Sequence, residues 1–279
     1  MSLLNADKYD GLSKYSQTAG RESGPFMAAF ITGEPREGQD VGKMQIMADF
    51  DKRIYVAQNA EELYFVIMHI KRYWEKVENR NGRDVTVAFG WNDEPKLDDL
   101  CKFKYVISGL LLDPKEKFKK VSHPVEEGQD ALIYFKCQGV KFGSAMDIID
   151  TYGKKTEELE PLSDNPKFEK EVVTPRRFIT KAIVTTTDSS HGKKYTYKFE
   201  PFKKLPDEVV TKFMDLAMAQ SEEFEKQFNK TEWLSQGSGS AASTAAPPPG
   251  VEGNPDFSDG DSSEETVQSE EGADFDLGL

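Results

Sequence analysis

The sequence predicts a mainly β fold of the α+β kind: a small closed or partly open barrel with long β-hairpins, one short helix and a late amphipathic helix. Three observations predict it. Short segments rich in β-formers recur between residues 25 and 142, each bounded by Gly, Pro or Asp. The pair Asn81-Gly82 stands between two β-rich runs, a strong two-residue hairpin signal. From Pro206 onward, apolar residues fall on one helical stripe.

Taken in order, residues 1–24 are polar and glycine-punctuated and read as a flexible N-terminal arm. PFMAAFI (25–31), KMQIMADF (43–50) and RIYVAQ (53–58) read as strands. The segment 63–91 has two readings. Asn59 as a cap, Glu62 three residues on, and Leu63, Val66, Ile67, Ile70, Trp74 and Val77 at helical spacing suit a helix. The turn at Asn81-Gly82 and the following DVTVAFGW suit a long antiparallel ribbon, which is the preferred reading. FKYVISGLLL (103–112) and ALIYFKCQGV (131–140) continue the strands, and GSAMDIIDTYGKK (143–155) reads as a short helix. A polar, proline-bearing stretch, 156–175, crosses to a second hairpin, RRFITKAIVTTT (176–187) and KKYTYKFEPF (193–202). A helix over about 206–229 places Val209, Val210, Phe213, Leu216, Ala217, Gln220, Phe224 and Phe228 on one stripe. Five to seven short strands interrupted by a helix and closed by another are most commonly arranged as an OB-type barrel. The folded unit is therefore expected over 25–234. Beyond Trp233, the Gly/Ser/Ala/Pro-rich linker and the acidic segment of 235–279 lack the apolar surface needed to fold.

The formal net charge of −13 argues at first against a nucleic-acid partner. The charge is unevenly placed, however. Residues 235–279 hold ten acids and no base, which leaves 39 acids against 36 bases in the rest of the chain. Cys101 and Cys137 lie in apolar strand-like surroundings with no CxxC pairing and read as core thiols of a reducing cytosol. With His69, His123 and His191 they match no standard zinc spacing. No secretory leader is recognisable and no apolar run approaches the ~18 residues of a membrane span. A soluble, cytoplasmic protein with no membrane partner is the expectation.

Catalytic signatures are missing from the sequence. It contains no GxxxxGK[ST] loop, GxSxG or HExxH, and its acid pairs (Asp98-Asp99, Glu61-Glu62, Glu222-Glu223) suit solvated faces. Each histidine is isolated and suits a surface or loop role. The expectation is a non-enzyme with no catalytic residue.

What remains is basic residues interleaved with aromatics on strands, the combination that single-stranded nucleic acid asks for: a cationic track for phosphate and flat faces for unstacked bases. The candidates in the ribbon are Lys71, Arg72, Tyr73, Trp74, Lys76, Arg80, Arg83 and Trp91. Lys102, Lys104, Tyr105, Lys136, Lys141 and Phe142 follow on the middle strands and the helix start. Arg176, Arg177, Lys193, Lys194, Tyr195, Tyr197 and Lys198 belong to the second hairpin. Residues 166–204 carry ten bases against four acids. Each aromatic has a competing use in the core.

Three stretches, IKRYWEKVENRNGRDVTVAFGW, KKYTYKFEPFKKLPDEVVTKFMDLA and SEEGADFDLGL, give the chain a layout that resembles the single-stranded DNA-binding proteins of tailed bacteriophages. The resemblance implies an OB-type core and a flexible acidic tail ending in an apolar or aromatic residue. It further implies sequence-independent coating of single-stranded DNA in replication, recombination or repair, in the cytoplasm of an infected bacterium. On this reading Asp274, Phe275, Asp276, Leu277 and Leu279 dock replication and repair proteins, and the tail's carboxylates compete with DNA for the cationic groove. An arm bearing Lys8, Tyr9, Lys14 and Tyr15 would support self-association along DNA. The chain departs from the family in two ways. Only Cys101 stands near the place where some relatives hold zinc, so neither metal nor other cofactor is expected. The tail ends Asp-Leu-Gly-Leu where bacterial tails end in Pro-Phe. Two alternatives are an accessory protein-interaction subunit of a replication or transcription complex and a nuclease built from scattered acids.

Overall fold

The computed structural model describes residues 26–34, 36–49, 52–80, 83–91, 96, 98–189 and 192–228. The arm 1–24, the Asn81-Gly82 turn and the linker and tail 235–279, with Asp274, Phe275, Asp276, Leu277 and Leu279, lie outside the described residues. Each strand expected from sequence forms: β1 (Phe26–Ile31), β2 (Met44–Asp49), β3 (Ile54–Ala60), β4 (Glu62–Arg80), β5 (Arg83–Trp91), β6 (Lys102–Asp113), β8 (Leu132–Cys137), β9 (Phe178–Ser189) and β10 (Gly192–Lys204). The short strand β7 (Lys119–Lys120) is added on the edge of β6.

The strands form one mixed sheet in the order β10-β9-β4-β6-β8-β1-β2-β3, in which only β1 and β8 run parallel. Alternation won over the helical pattern in 63–80, because β4 satisfies its backbone on two sides at once. One edge pairs with β6 from Tyr64 to Glu75. The other pairs with β9 at Glu62–Val66 and with β5 at Tyr73–Arg80. The ribbon β4–β5 is thus formed as expected. The closed barrel is not: β10 and β3 stand at opposite ends of the sheet with no ladder joining them.

Two apolar layers lie on the two faces of the central strands. One contains Phe65, Ile107, Ile133 and Phe135 from the strands. Helix α1 (Phe142–Thr156) adds Ala145, Ile148 and Tyr152, and β10 adds Tyr197 and Phe199. The other contains Val66, Met68, Val106 and Leu110, covered by the helices α4 (Asp207–Ala219) and α5 (Ser221–Phe228) through Val210, Phe213, Ala217 and Phe224. The single helix expected over 206–229 is therefore two, separated at Gln220, and its apolar stripe does face the core. No helix among the described residues is long and apolar enough to cross a membrane.

The stretch 156–175, expected to be an irregular crossing, is partly helical. Asn165 accepts from the amides of Lys167 and Phe168 at 3.1 and 3.2 Å, opening the turn α2 (Pro166–Phe168). A π-turn, Glu169–Val173, and the turn α3 (Thr174–Arg176) follow. Pro175 has no amide to give to the preceding turn, which accounts for the widening there.

His69 is buried rather than at the surface or in a loop. The Ala217 carbonyl can only accept, so Nε2–H donates to it at 3.1 Å, and Nδ1 accepts from the Ser108 hydroxyl at 2.8 Å. The ring stacks on Phe224 at 4.5 Å, which docks α5 against β4. Both cysteines are buried free thiols, and burial pushes the Cys137 thiol up to about 12.

Candidate nucleic-acid interface

The face that each β4 side chain takes is decided at Met68. Tyr64 to Ile67 pair with Leu112 to Gly109, and pairing resumes at His69 with Ser108, leaving Met68 as an extra residue. Side chains alternate across a strand, so the bulge reverses the phase downstream. Lys71, Tyr73 and Glu75 consequently face the helix-covered layer, and Arg72 and Trp74 face the side of Tyr105 and Cys137.

On that second side a stripe of rings and cations crosses four elements. Arg72 on β4 stands opposite Tyr105 on β6, and its guanidinium carbon lies 3.8 Å from the Phe103 ring centroid and 6.0 Å from that of Tyr105. Lys96 covers the same Phe103 ring at 5.0 Å. Tyr105 leans on Phe142, the first residue of α1, at 5.1 Å, and the neighbouring Lys141 lies 4.8 Å over Tyr197 of β10. Such distances are those of cation–π pairs. Arg72, Phe103, Lys141 and Phe142 are half-buried, whereas Tyr105 and Tyr197 form a buried underlayer. Burial holds the Lys141 ammonium below the ordinary lysine value. Arg72 has no carboxylate or hydrogen-bond partner among the described residues, and its Nε is buried without one. A guanidinium so placed keeps the terminal N–H donors of its fork for an anion while a ring supports its flat face.

Other candidate residues lie elsewhere. Lys71, 1% exposed, is ion-paired with the buried Glu225 of α5. Tyr73 packs on Phe89 and Trp91 at 5.3 and 6.1 Å in the helix-covered layer. Trp74 is buried opposite Phe103. Arg176 is buried and donates to the carbonyls of Val172 and Met68, and burial pushes it down to about 9. Arg177 is buried between Glu169 and Asp207, at 3.3 and 3.2 Å. Lys71, Tyr73, Trp74, Trp91, Arg176 and Arg177 are thus corrected from surface contacts to structural residues, because side chains buried in the core or spent on internal partners cannot meet a base or a phosphate. Tyr105 and Tyr197 are corrected likewise to supports; the Tyr197 hydroxyl donates to the Ala29 carbonyl at 3.1 Å.

Lys76 pairs with Asp98 at 2.6 Å, Lys198 with Glu200 at 2.7 Å, and Lys104 and Lys136 both approach Glu75. Of the ten bases in 166–204, Arg177, Lys181 and Lys198 are ion-paired and Arg176 is buried against carbonyls, so the charge that stretch presents is smaller than its count. Tyr195 is half-buried against Gly42, where a Cβ would fall 2.7 Å from its ring. Lys102 and Lys194 are exposed and carry no ion pair among the described residues. The side chains of Arg80, Arg83 and Lys193 lie outside the described residues.

Sequence reasoning missed Phe103 and Lys96. Phe103 had a usable signal, since it stands two residues before Tyr105 on the same strand face. Lys96, in a loop between strands, had none. No protein-family model matches the chain, and no curated protein matches it.

Proposed function

We propose that this protein binds single-stranded DNA without sequence choice, laying the strand across the stripe formed by Arg72, Phe103, Phe142, Lys141 and Lys96. The observation that carries the proposal is Arg72: a half-buried guanidinium stacked on a ring and lacking an acidic partner among the described residues. Its donors suit phosphate, and the flanking rings suit bases, each stack being worth ~1–3 kcal/mol. Lys102 and Lys194 extend the positive charge available to the backbone.

An OB-type organisation is part of the proposal. Supporting it, β10 curls back so that Phe199 meets Phe65 and Phe135 at 6.2 and 5.2 Å, and Tyr197 bonds β1, which approximates a barrel through side chains rather than strand pairing. The role is that of a non-enzymatic coat in phage replication, recombination or repair. The acidic segment 252–279 recruits replication proteins through Phe275, Leu277 and Leu279. Titrating labelled oligo(dT) and a duplex of equal length tests the core of this reading. Single strands are expected to bind more tightly, with a log–log salt slope of about −0.7 for each phosphate contacted. Equal affinity for duplex and single strand rejects it.

A further inference from the structure

The sequence Phe-Lys-Lys occurs at 118–120 and again at 202–204, and the fold brings the two copies together. The rings of Phe118 and Phe202 lie 5.6 Å apart, and Tyr64 completes a triad at 5.4 Å from Phe118 and 5.0 Å from Phe202. Phe202 occupies the irregular position of β10, between the paired residues Pro201 and Lys203, and is 43% exposed. Phe118 is set by an unusual turn. Lys117 and Phe118 are consecutive non-glycine residues at φ 55° and 61°, held by the Phe118 amide donating to the Asp113 carbonyl at 2.9 Å. Strained backbone of this kind persists only where its surroundings impose it, and it marks a built feature. Chain neighbours of the two rings are Lys117, Lys119, Lys203 and Lys204, and Lys181 lies 5.8 Å from the Tyr64 ring. The nearby acids are Glu116, Asp113, Glu200 and Glu62. Asp113 stands opposite Lys119 and accepts from the Lys115 amide at 2.8 Å, and Glu200 is paired with Lys198 at 2.7 Å. Glu62 is engaged by Lys181 at 2.5 Å and by the Tyr64 hydroxyl at 2.9 Å.

An exposed ring, Phe202, backed by the half-buried Phe118 and the buried Tyr64 and flanked by lysines, fits a peptide that alternates apolar and acidic residues. This chain carries such a peptide: Asp274, Phe275, Asp276 and Leu277, with Leu279 beyond. From the point of view of reach nothing prevents the encounter, since the 46 residues between Phe228 and Phe275 span up to about 150 Å when extended. Tethering also raises the local concentration of the peptide over that of any competitor in solution.

We propose that residues 271–279 dock in cis on the Tyr64–Phe118–Phe202 patch, with Phe275 against the exposed ring of Phe202 and Asp274 and Asp276 toward the flanking lysines. Tyr64 belongs to the helix-covered layer and Tyr105 to the opposite one, so this patch and the proposed DNA stripe lie on different faces of the central strands. Docking there holds the acidic segment away from the stripe and withholds its apolar residues from other proteins. The inference stands without the DNA-binding proposal and fails separately from it.

Photo-crosslinking in the full chain tests the inference, with the variant Phe275→p-benzoylphenylalanine mapped by mass spectrometry after irradiation of dilute protein. Expected are intramolecular links to residues 117–120 and 201–204, reduced about tenfold by Phe202→Ser, which removes the exposed ring. Lys204→Glu, on an exposed side chain, is expected to reduce them as well, and so is added salt. Links that map to Arg72, Phe103 or Phe142, links only between two chains, or the lack of any link to residues 26–228 overturn the proposal. So does a yield unchanged by both substitutions.

Discussion

The guanidinium of Arg176 donates to the carbonyl oxygen of Met68, the residue skipped within the β4–β6 ladder. A second N–H of the same group donates to the Val172 carbonyl. A buried arginine thus holds the bulge that turns Arg72 toward the stripe and Lys71 toward the helices. Arg176→Leu strands two buried carbonyls at about 1–3 kcal/mol each. We expect the melting temperature, followed by circular dichroism, to fall by roughly 10 °C in a domain of this size. An unchanged melting temperature shows that the bulge stands without the arginine.

The buried pair Lys71–Glu225 fixes α5 to the sheet. Removing one partner leaves an uncompensated charge in the core, a loss of about 3–5 kcal/mol, whereas replacing both with apolar residues is often close to neutral. Lys71→Met is therefore expected to lower the urea midpoint sharply, and Lys71→Met/Glu225→Leu is expected to restore most of it. If the double variant is as unstable as the single, the pair contributes more than mutual neutralisation.

Acid should weaken the protein through His69. Burial, with Lys71 and Arg176 close by, holds the imidazole well below the ordinary histidine range, while Ser108, the Ala217 carbonyl, Phe26 and Phe224 complete its surroundings. The unfolded chain then takes up the proton first. The contribution of neutral His69 is complete above about pH 6.5 and is lost as pH falls below it, by up to 1.4 kcal/mol per pH unit. Urea midpoints at pH 7.5 and 5.5 measure this slope. His69→Asn is expected to be less stable at pH 7.5 and to show a shallower loss between the two; an equal loss assigns the acid sensitivity to other groups.

The succession of strands along the chain was legible because alternation and turn residues are local properties, whereas their order in the sheet was not. The Asn81-Gly82 pair between β-rich runs outweighed the helical spacing of Leu63 to Val77, and β4 and β5 pair as a ribbon accordingly. The faces were not legible beyond Ile67. A single extra residue at Met68 exchanges the surroundings of Lys71 and Arg72, and no residue type announces it. Nor could the burial of cations be read, because the partners are distant in sequence: Glu225 for Lys71, Asp207 for Arg177, the Met68 carbonyl for Arg176. Counting basic residues in 166–204 therefore overstated the charge available to a ligand. The helical turns after Pro166 were overlooked despite a readable signal, an asparagine cap followed by proline.

The most direct test of the DNA-binding account is the affinity of Phe103→Ala and Arg72→Ala for labelled oligo(dT) of about 16 nucleotides, measured by anisotropy at low and high salt beside a melting curve. Loss of a stacking ring is not screened by salt, so Phe103→Ala is predicted to raise Kd by about tenfold at both salt concentrations with little change in melting temperature. Arg72→Ala is predicted to raise it further at low salt and to make the salt slope about 0.7 shallower. Folded variants that bind oligo(dT) as tightly as the parent at both salt concentrations contradict the account.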